Sequence, residues 1–303
     1  MFKGILGGLI VTSLAAVAMG GTFTVDGTRV GDTYGAARAV QTVETGFGDN
    51  LSEWNAAYGA IDGGRLYLML TGNLEGNFNK LEVLIDSAPG GFNTYPAAPG
   101  NDGSGVLAGM TFDAGFDPDY HVIARRGFDG SNNRFDLDMG VLGTPTFSSY
   151  FFVFGLNQEG IGATGTGPAN ASPIEVAYNN SNTAGIVGGS GPADPTAAQA
   201  VTTGFEMSIA LSDLGYTSGP IRAMIWQNNQ DHRYLSNQFL GGLPPPQGNL
   251  GSDGFGNYDG GSPTIGQNHN FNNYGGNQYF VIPEPAPAAL LVLGGLALLR
   301  RRG

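Results

Sequence analysis

Apolar and polar residues alternate in short bursts along this chain, and Gly, Pro, Asn or Asp clusters separate the bursts. Lys80–Asp86 places Leu81, Val83 and Ile85 on one face of an extended segment, a period of two that predicts a strand. The stretch "AAYGAIDGGRLYLMLTGN" is two apolar runs joined by Asp62-Gly63-Gly64. It predicts a hairpin, because glycine supplies the positive φ of a tight turn. Strands are also expected at Gly109–Phe112, Tyr120–Arg125, Arg134–Asp138, Tyr150–Gly155, Ile174–Tyr178, Phe205–Leu211 and Ile221–Gln227. Long amphipathic helices are not evident, and the best helical turn is Ser212-Asp213-Leu214, stopped by Gly215. Many short strands with turn-rich connections predict an all-β fold, a single sandwich or jelly roll with Gly/Asn-rich loops over 21–240. Residues 160–200 read as a loop insertion around the Ile174–Tyr178 strand. Residues 241–280, rich in Gly, Asn and Pro, read as a linker, although Phe255, Tyr258, Phe271 and Tyr274 leave room for docking.

Composition sharpens this picture. The 303 residues carry a net charge of −12, with lysine only at Lys3 and Lys80. Such a surface repels phosphate backbones, which argues against a nucleic-acid partner. The 52 glycines follow no collagen-like period and fit a turn-rich β protein. No cysteine is present, which excludes disulfides and thiolate chemistry.

The two ends differ from the body. "MFKGILGGLIVTSLAAVAMGG" has a positive Lys3, an apolar run from Gly4 and small residues at Ala16 and Ala18. Residues 1–20 therefore read as a secretory signal helix, cleaved after Ala18 or Gly20. At the other end, Ala286–Leu299 is free of charge. As a helix it would span about 21 Å, short of the ~30 Å hydrocarbon core. Arg300, Arg301 and Arg302 follow it and should stay on the cytoplasmic side. The order Pro283-Glu284-Pro285, apolar helix, arginine cluster over 281–303 resembles the PEP-CTERM sorting domain of Gram-negative bacteria. That resemblance implies recognition by an exosortase, a membrane-embedded cysteine protease-transpeptidase, after passage through the secretion translocon. It implies a transient inner-membrane anchor, removal of the helix, and a product at the cell surface or outside the cell, often with extracellular polysaccharide. Independently, the two prolines keep the segment before the helix extended and accessible.

The body carries a looser resemblance. Leu66-Tyr67-Leu68, Asp86, Glu206 and the turn Ser212–Gly215 are similar in pattern to family 9 carbohydrate-binding-module and DOMON-like sandwiches. The chain departs from that pattern at Ala210, where the family often has proline. The resemblance implies fold only.

Candidate chemistry is sparse. "GIGATG" (Gly160–Gly165) matches G-x-G-x-x-G in letters, but the prolines after it leave no helix to meet a pyrophosphate. His121, His232 and His269 are far apart in sequence and are expected to be isolated strand or surface residues. Asp117/Asp119 and Asp136/Asp138 each share a strand face if extended. "DGSNNRFDLD" gathers oxygen donors, and Asp129, Asn132, Asp136 and Asp138 are candidate calcium ligands, although the order of an EF-hand loop is missing. Two of these acids would also be the candidates for a glycosidase pair. Trp226 lies in the apolar run "IRAMIW" and reads as core, whereas Trp54 follows polar "NLSE" and is the better of the two candidates for a surface position that could stack on a sugar, core packing being the alternative. No residue is assigned a catalytic role and no cofactor is expected beyond the possible calcium. The expected function is that of an exported, non-catalytic structural or adhesion protein. The alternatives are a carbohydrate-binding surface protein and, behind it, a surface glycoside hydrolase.

Overall fold

The computed structural model describes residues 21–284, and the signal segment, Pro285, the C-terminal apolar run and Arg300–Arg302 lie outside the described residues. Among the described residues no helix is long and apolar enough to cross a membrane. Among the described residues thirteen strands follow one another. The first seven are β1 (Ala39–Val40), β2 (Glu53–Asp62), β3 (Arg65–Asn73), β4 (Asn77–Asp86), β5 (Tyr120–Phe128), β6 (Asn133–Val141) and β7 (Phe147–Tyr150). The rest are β8 (Gly160–Ala163), β9 (Glu175–Tyr178), β10 (Gly204–Ala210), β11 (Ile221–Asn228), β12 (Leu235–Leu240) and β13 (Tyr279–Ile282).

They form two antiparallel sheets. The first runs β1-β2-β3-β10-β9-β8 and the second β12-β11-β4-β5-β6-β7, with β13 also paired to β11. The fold is an all-β sandwich. The β2–β3 hairpin closes with Asp62 opposite Arg65, across Gly63 and Gly64 at φ +55° and +79°. Two successive left-handed residues match the twist of the flanking strands, which explains the glycine pair.

Strand alternation builds the core. Leu66, Leu68 and Leu70 of β3 meet Leu81, Val83 and Ile85 of β4, with Phe135 and Leu137 of β6 and Phe205 and Met207 of β10. All of these are buried. The second sheet is covered on its outer face as well. Leu84, Met224 and Trp226 point there and pack with Tyr95, Phe112, Leu250, Ile265 and Phe271. A sheet covered on both faces needs apolar residues at consecutive positions, as in Met224, Ile225 and Trp226.

Residues 241–280 are therefore not a free linker. Leu243, Leu250, Ile265 and Phe271 are buried against the second sheet, and the stretch belongs to one compact unit, Gly21–Glu284. Four of its apolar side chains pack in one cluster with Leu84, Met224 and Trp226 of that sheet, and glycines are frequent between them. Phe255 and Tyr258 remain outside. Two other expectations also shift. Gly109–Phe112 forms only isolated bridges at Thr111, to Thr94 and Asn270, and the strand expected at Tyr150–Gly155 ends at Tyr150.

Candidate functional site

The outward faces of β4, β5 and β6 carry a charged set at strand period. Lys80 and Glu82 alternate with Leu81 and Val83, and Asp136 and Asp138 alternate with Phe135 and Leu137. Register then places Lys80 directly opposite Arg125, and Arg125 opposite Asp136. Two further groups come from loops. Asp102 enters from a short turn of helix at Asn101–Leu107, and His232 from the turn after β11.

Glu82 is the centre of this set and is fully buried. Its Oε2 lies 2.7 Å from Nε2 of His121 and its Oε1 lies 2.6 Å from Nδ1 of His232. The other nitrogen of His121 meets the hydroxyl of Tyr95 at 2.8 Å, and the other nitrogen of His232 donates to the Asp102 carbonyl at 3.0 Å. The Asp102 carboxylate pairs with Lys80 at 2.5 Å and Arg125 at 3.0 Å. Arg125 also binds Asp138, and Arg134 reaches Asp136 at 3.0 Å and Asp129 at 3.3 Å. A continuous polar chain thus runs from Tyr95 in the interior to Arg134 near the surface.

The electrostatics follow from burial set against pairing. Burial pushes the Glu82 carboxyl up, but the His232 charge and the hydrogen bonds from both histidines outweigh it and hold the group well below the usual range. Burial pulls the His232 imidazole down, and the charge of Glu82 with the Asp102 contact overcomes this and lifts it to about 9. Burial likewise raises Asp102, and its bond to His232 with the Arg125 and Lys80 charges brings it below the ordinary value.

The outer end of this chain opens into a cleft of about 430 Å³. Lys80, Arg125, Arg134, Asp102, Asp129 and Asp138 line it. Phe78 and Phe151 flank it, and the Arg134 guanidinium lies 5.2 Å and 5.5 Å from their ring centres.

A second carboxylate group lies on the outer face of the first sheet. One oxygen each of Asp26, Asp32 and Glu206 falls within 4.8 Å of the others. Glu206 is buried, accepts from the Tyr34 hydroxyl at 2.6 Å and from the Asp26 and Gly27 amides, and burial raises it to about 7. Oxygen-only donors of this kind suit a hard cation such as calcium.

The residues singled out in the sequence fall differently. Trp54 is fully buried and its indole N–H donates to Gln227 at 2.9 Å, so it presents no face to a sugar. The polar neighbours that suggested a surface position are themselves buried and bonded, Glu53 to Asn55 and Asn182. Trp226 is core, stacked between His121 and Phe239. The calcium candidates have other partners. Asp129 accepts from the Ser131 and Asn132 amides, Asp136 and Asp138 face arginines, and a cation there would meet guanidinium charge. Asn132 only closes the Asp129 turn. His121 and His232 are not isolated, since Glu82 joins them, while His269 stands apart, buried, and drawn down to about 4 by that burial. Of the sorting residues, Pro283 and Glu284 follow β13 and are exposed. Comparison with protein-family models, curated proteins and solved structures gives no match.

Proposed function

We propose that this chain is an exported cell-surface or extracellular-matrix protein with a non-catalytic structural or adhesion role, delivered by an exosortase through Pro283-Glu284-Pro285, the apolar run and Arg300–Arg302. The observation that carries the reading is where the compact unit stops. It spans Gly21–Glu284, its last strand ends at Ile282, and Pro283 and Glu284 are exposed directly after it. A membrane protease can reach such a segment without opening the sandwich. Cutting there leaves β13 in place on β11. We read the sandwich itself as jelly-roll-like and of the family 9 carbohydrate-binding-module or DOMON type. Supporting that reading, Leu66-Tyr67-Leu68 lie in β3, Asp86 ends β4, and β10, with Glu206 as its third residue, runs into the Ser212–Gly215 turn.

The test is replacement of Pro283, Glu284 and Pro285 by alanine in an exosortase-bearing host. The expected result is accumulation of the unprocessed, membrane-held chain. Processing at the wild-type rate contradicts the reading.

A further inference from the structure

Lysine occurs only at Lys3 and Lys80, so the Gly21–Glu284 unit holds a single one. A solitary lysine would ordinarily sit in solvent. Lys80 is instead 4% exposed, and its Nζ lies 2.5 Å from Oδ2 of Asp102. Among the described residues, every other ion pair that does not involve histidine is made by an arginine: Arg65, Arg125, Arg126, Arg134 and Arg222. The two cations differ in chemistry. A guanidinium keeps its proton, whereas a buried ammonium can become an amine, and an amine is a nucleophile.

The surroundings favour that change. Burial lowers the Lys80 ammonium by more than the neighbouring carboxylates raise it. Asp102 is fixed in place by other contacts. Nη1 of Arg125 lies 3.0 Å from the same Oδ2, and Nε2 of His232 lies 3.6 Å from it while donating to the Asp102 carbonyl. The Asp102 backbone is left-handed, at φ 53°, a conformation that persists in a residue with a side chain only where the surroundings impose it.

We propose that Lys80 and Asp102 condense into an intramolecular isopeptide bond, a covalent tie between β4 and the Asn101–Leu107 turn. The step needs no reagent from outside. The ion pair is the resting form, and one proton passing from Nζ to Oδ2 turns it into an amine beside a carboxylic acid. The Nζ–Cγ bond then forms and the Cγ–Oδ2 bond breaks. The oxygen departs as water with two protons that were on nitrogen, so ammonium plus carboxylate becomes amide plus water and nothing is oxidised or reduced. Arg125 and His232 lie against the departing oxygen and offset the charge that gathers on it. Lys80 and Asp102 both line the charged cleft, which gives the water a way out. No cation is stranded afterwards, because Arg125 keeps Asp138 and His232 keeps Glu82.

The tie secures a segment that needs securing. Between β4 and β5 the chain covers the outer face of the second sheet with Tyr95, Leu107, Phe112 and Phe116. The chain has no cysteine, so no disulfide can hold this cover. The inference does not depend on the sorting reading, since the pair lies within the compact unit whether or not the ends are removed.

Tryptic mapping of the full chain, kept folded overnight at pH 7 and then denatured in guanidinium, tests it. Trypsin cuts here after Arg65, Lys80 and Arg125. The expected result is that most of the chain yields one peptide, 66–125, lighter than its sequence by one water, with fragment ions placing the link between Lys80 and Asp102. Lys80→Arg should restore the cut at 80 and the full mass. The wild-type map decides by itself, whether or not that variant folds. Peptides 66–80 and 81–125 at full sequence mass in the wild type overturn the inference. So does a water lost from 81–125 with Lys80 cut, which is the succinimide that Asp102-Gly103 can form unaided.

Discussion

Oε1 of Glu82 lies 2.6 Å from Nδ1 of His232, and neither side chain is exposed to solvent. One carboxylate thus neutralises a charged imidazole inside the protein and also holds His121. Removing the charge strands its partner. Glu82→Gln should cost about 3–5 kcal/mol in urea denaturation at pH 7, the range for breaking a buried pair. A loss below about 1 kcal/mol would place this pair with ordinary surface ion pairs.

The same pair sets a pH dependence. His232 titrates at about 9 when folded and at 6.5 as a free side chain. Its stabilising proton is fully present below 6.5 and is lost as pH rises through 9. Stability should therefore fall from pH 7 to 9 in the wild type, and the fall should disappear in Glu82→Gln. Glu82, depressed when folded, acts in the opposite direction: its contribution is complete above its ordinary value of 4.5 and is lost progressively as pH falls from there. A flat wild-type profile between pH 7 and 9 contradicts the assignment.

Glu206 makes a separate prediction at lower pH. Burial raises its carboxyl from 4.5 to about 7, so the fold favours the protonated form. Stability should decline as pH rises from 4.5 to 7 and level off above. Glu206→Gln should remove that decline while keeping an acceptor for the Asp26 and Gly27 amides. Denaturation midpoints across this range check it, and an unchanged decline in the variant counts against the assignment.

Phe271 decides whether 241–280 belongs to the fold. It is fully buried and packs on Phe239 at 5.2 Å between ring centres. Phe271→Ala should cost about 3–5 kcal/mol in the same denaturation assay. A linker residue would cost nothing measurable.

How much of this is legible in the sequence depends on how local the cause is. β3, β4 and their neighbours show through because half of each strand faces the inter-sheet core, so Leu81, Val83 and Ile85 recur at period two. The turn at Gly63-Gly64 shows through because only glycine fits it easily. Trp54 and the 241–280 stretch do not, because their burial comes from distant partners such as Gln227 and Phe239. The charged cluster is half legible. Lys80, Glu82, Asp136 and Asp138 already alternate with core residues, so continuing that alternation across β4, β5 and β6 gathers the acids and Arg125 on one face. Asp102 and His232 arrive on loops, which no strand period reveals. The shift of roles is instructive at Asp136 and Asp138, whose shared face is read correctly from spacing, but whose partners are arginines set by register.

The central claim is that both apolar ends are removed and the Gly21–Glu284 unit is what reaches the outside. Intact-mass measurement of the protein recovered from its native host tests it most directly. The account predicts a chain beginning near Gly21 and ending at or near Pro283-Glu284-Pro285, without Arg300–Arg302. A mass corresponding to Met1 through Gly303 would contradict it.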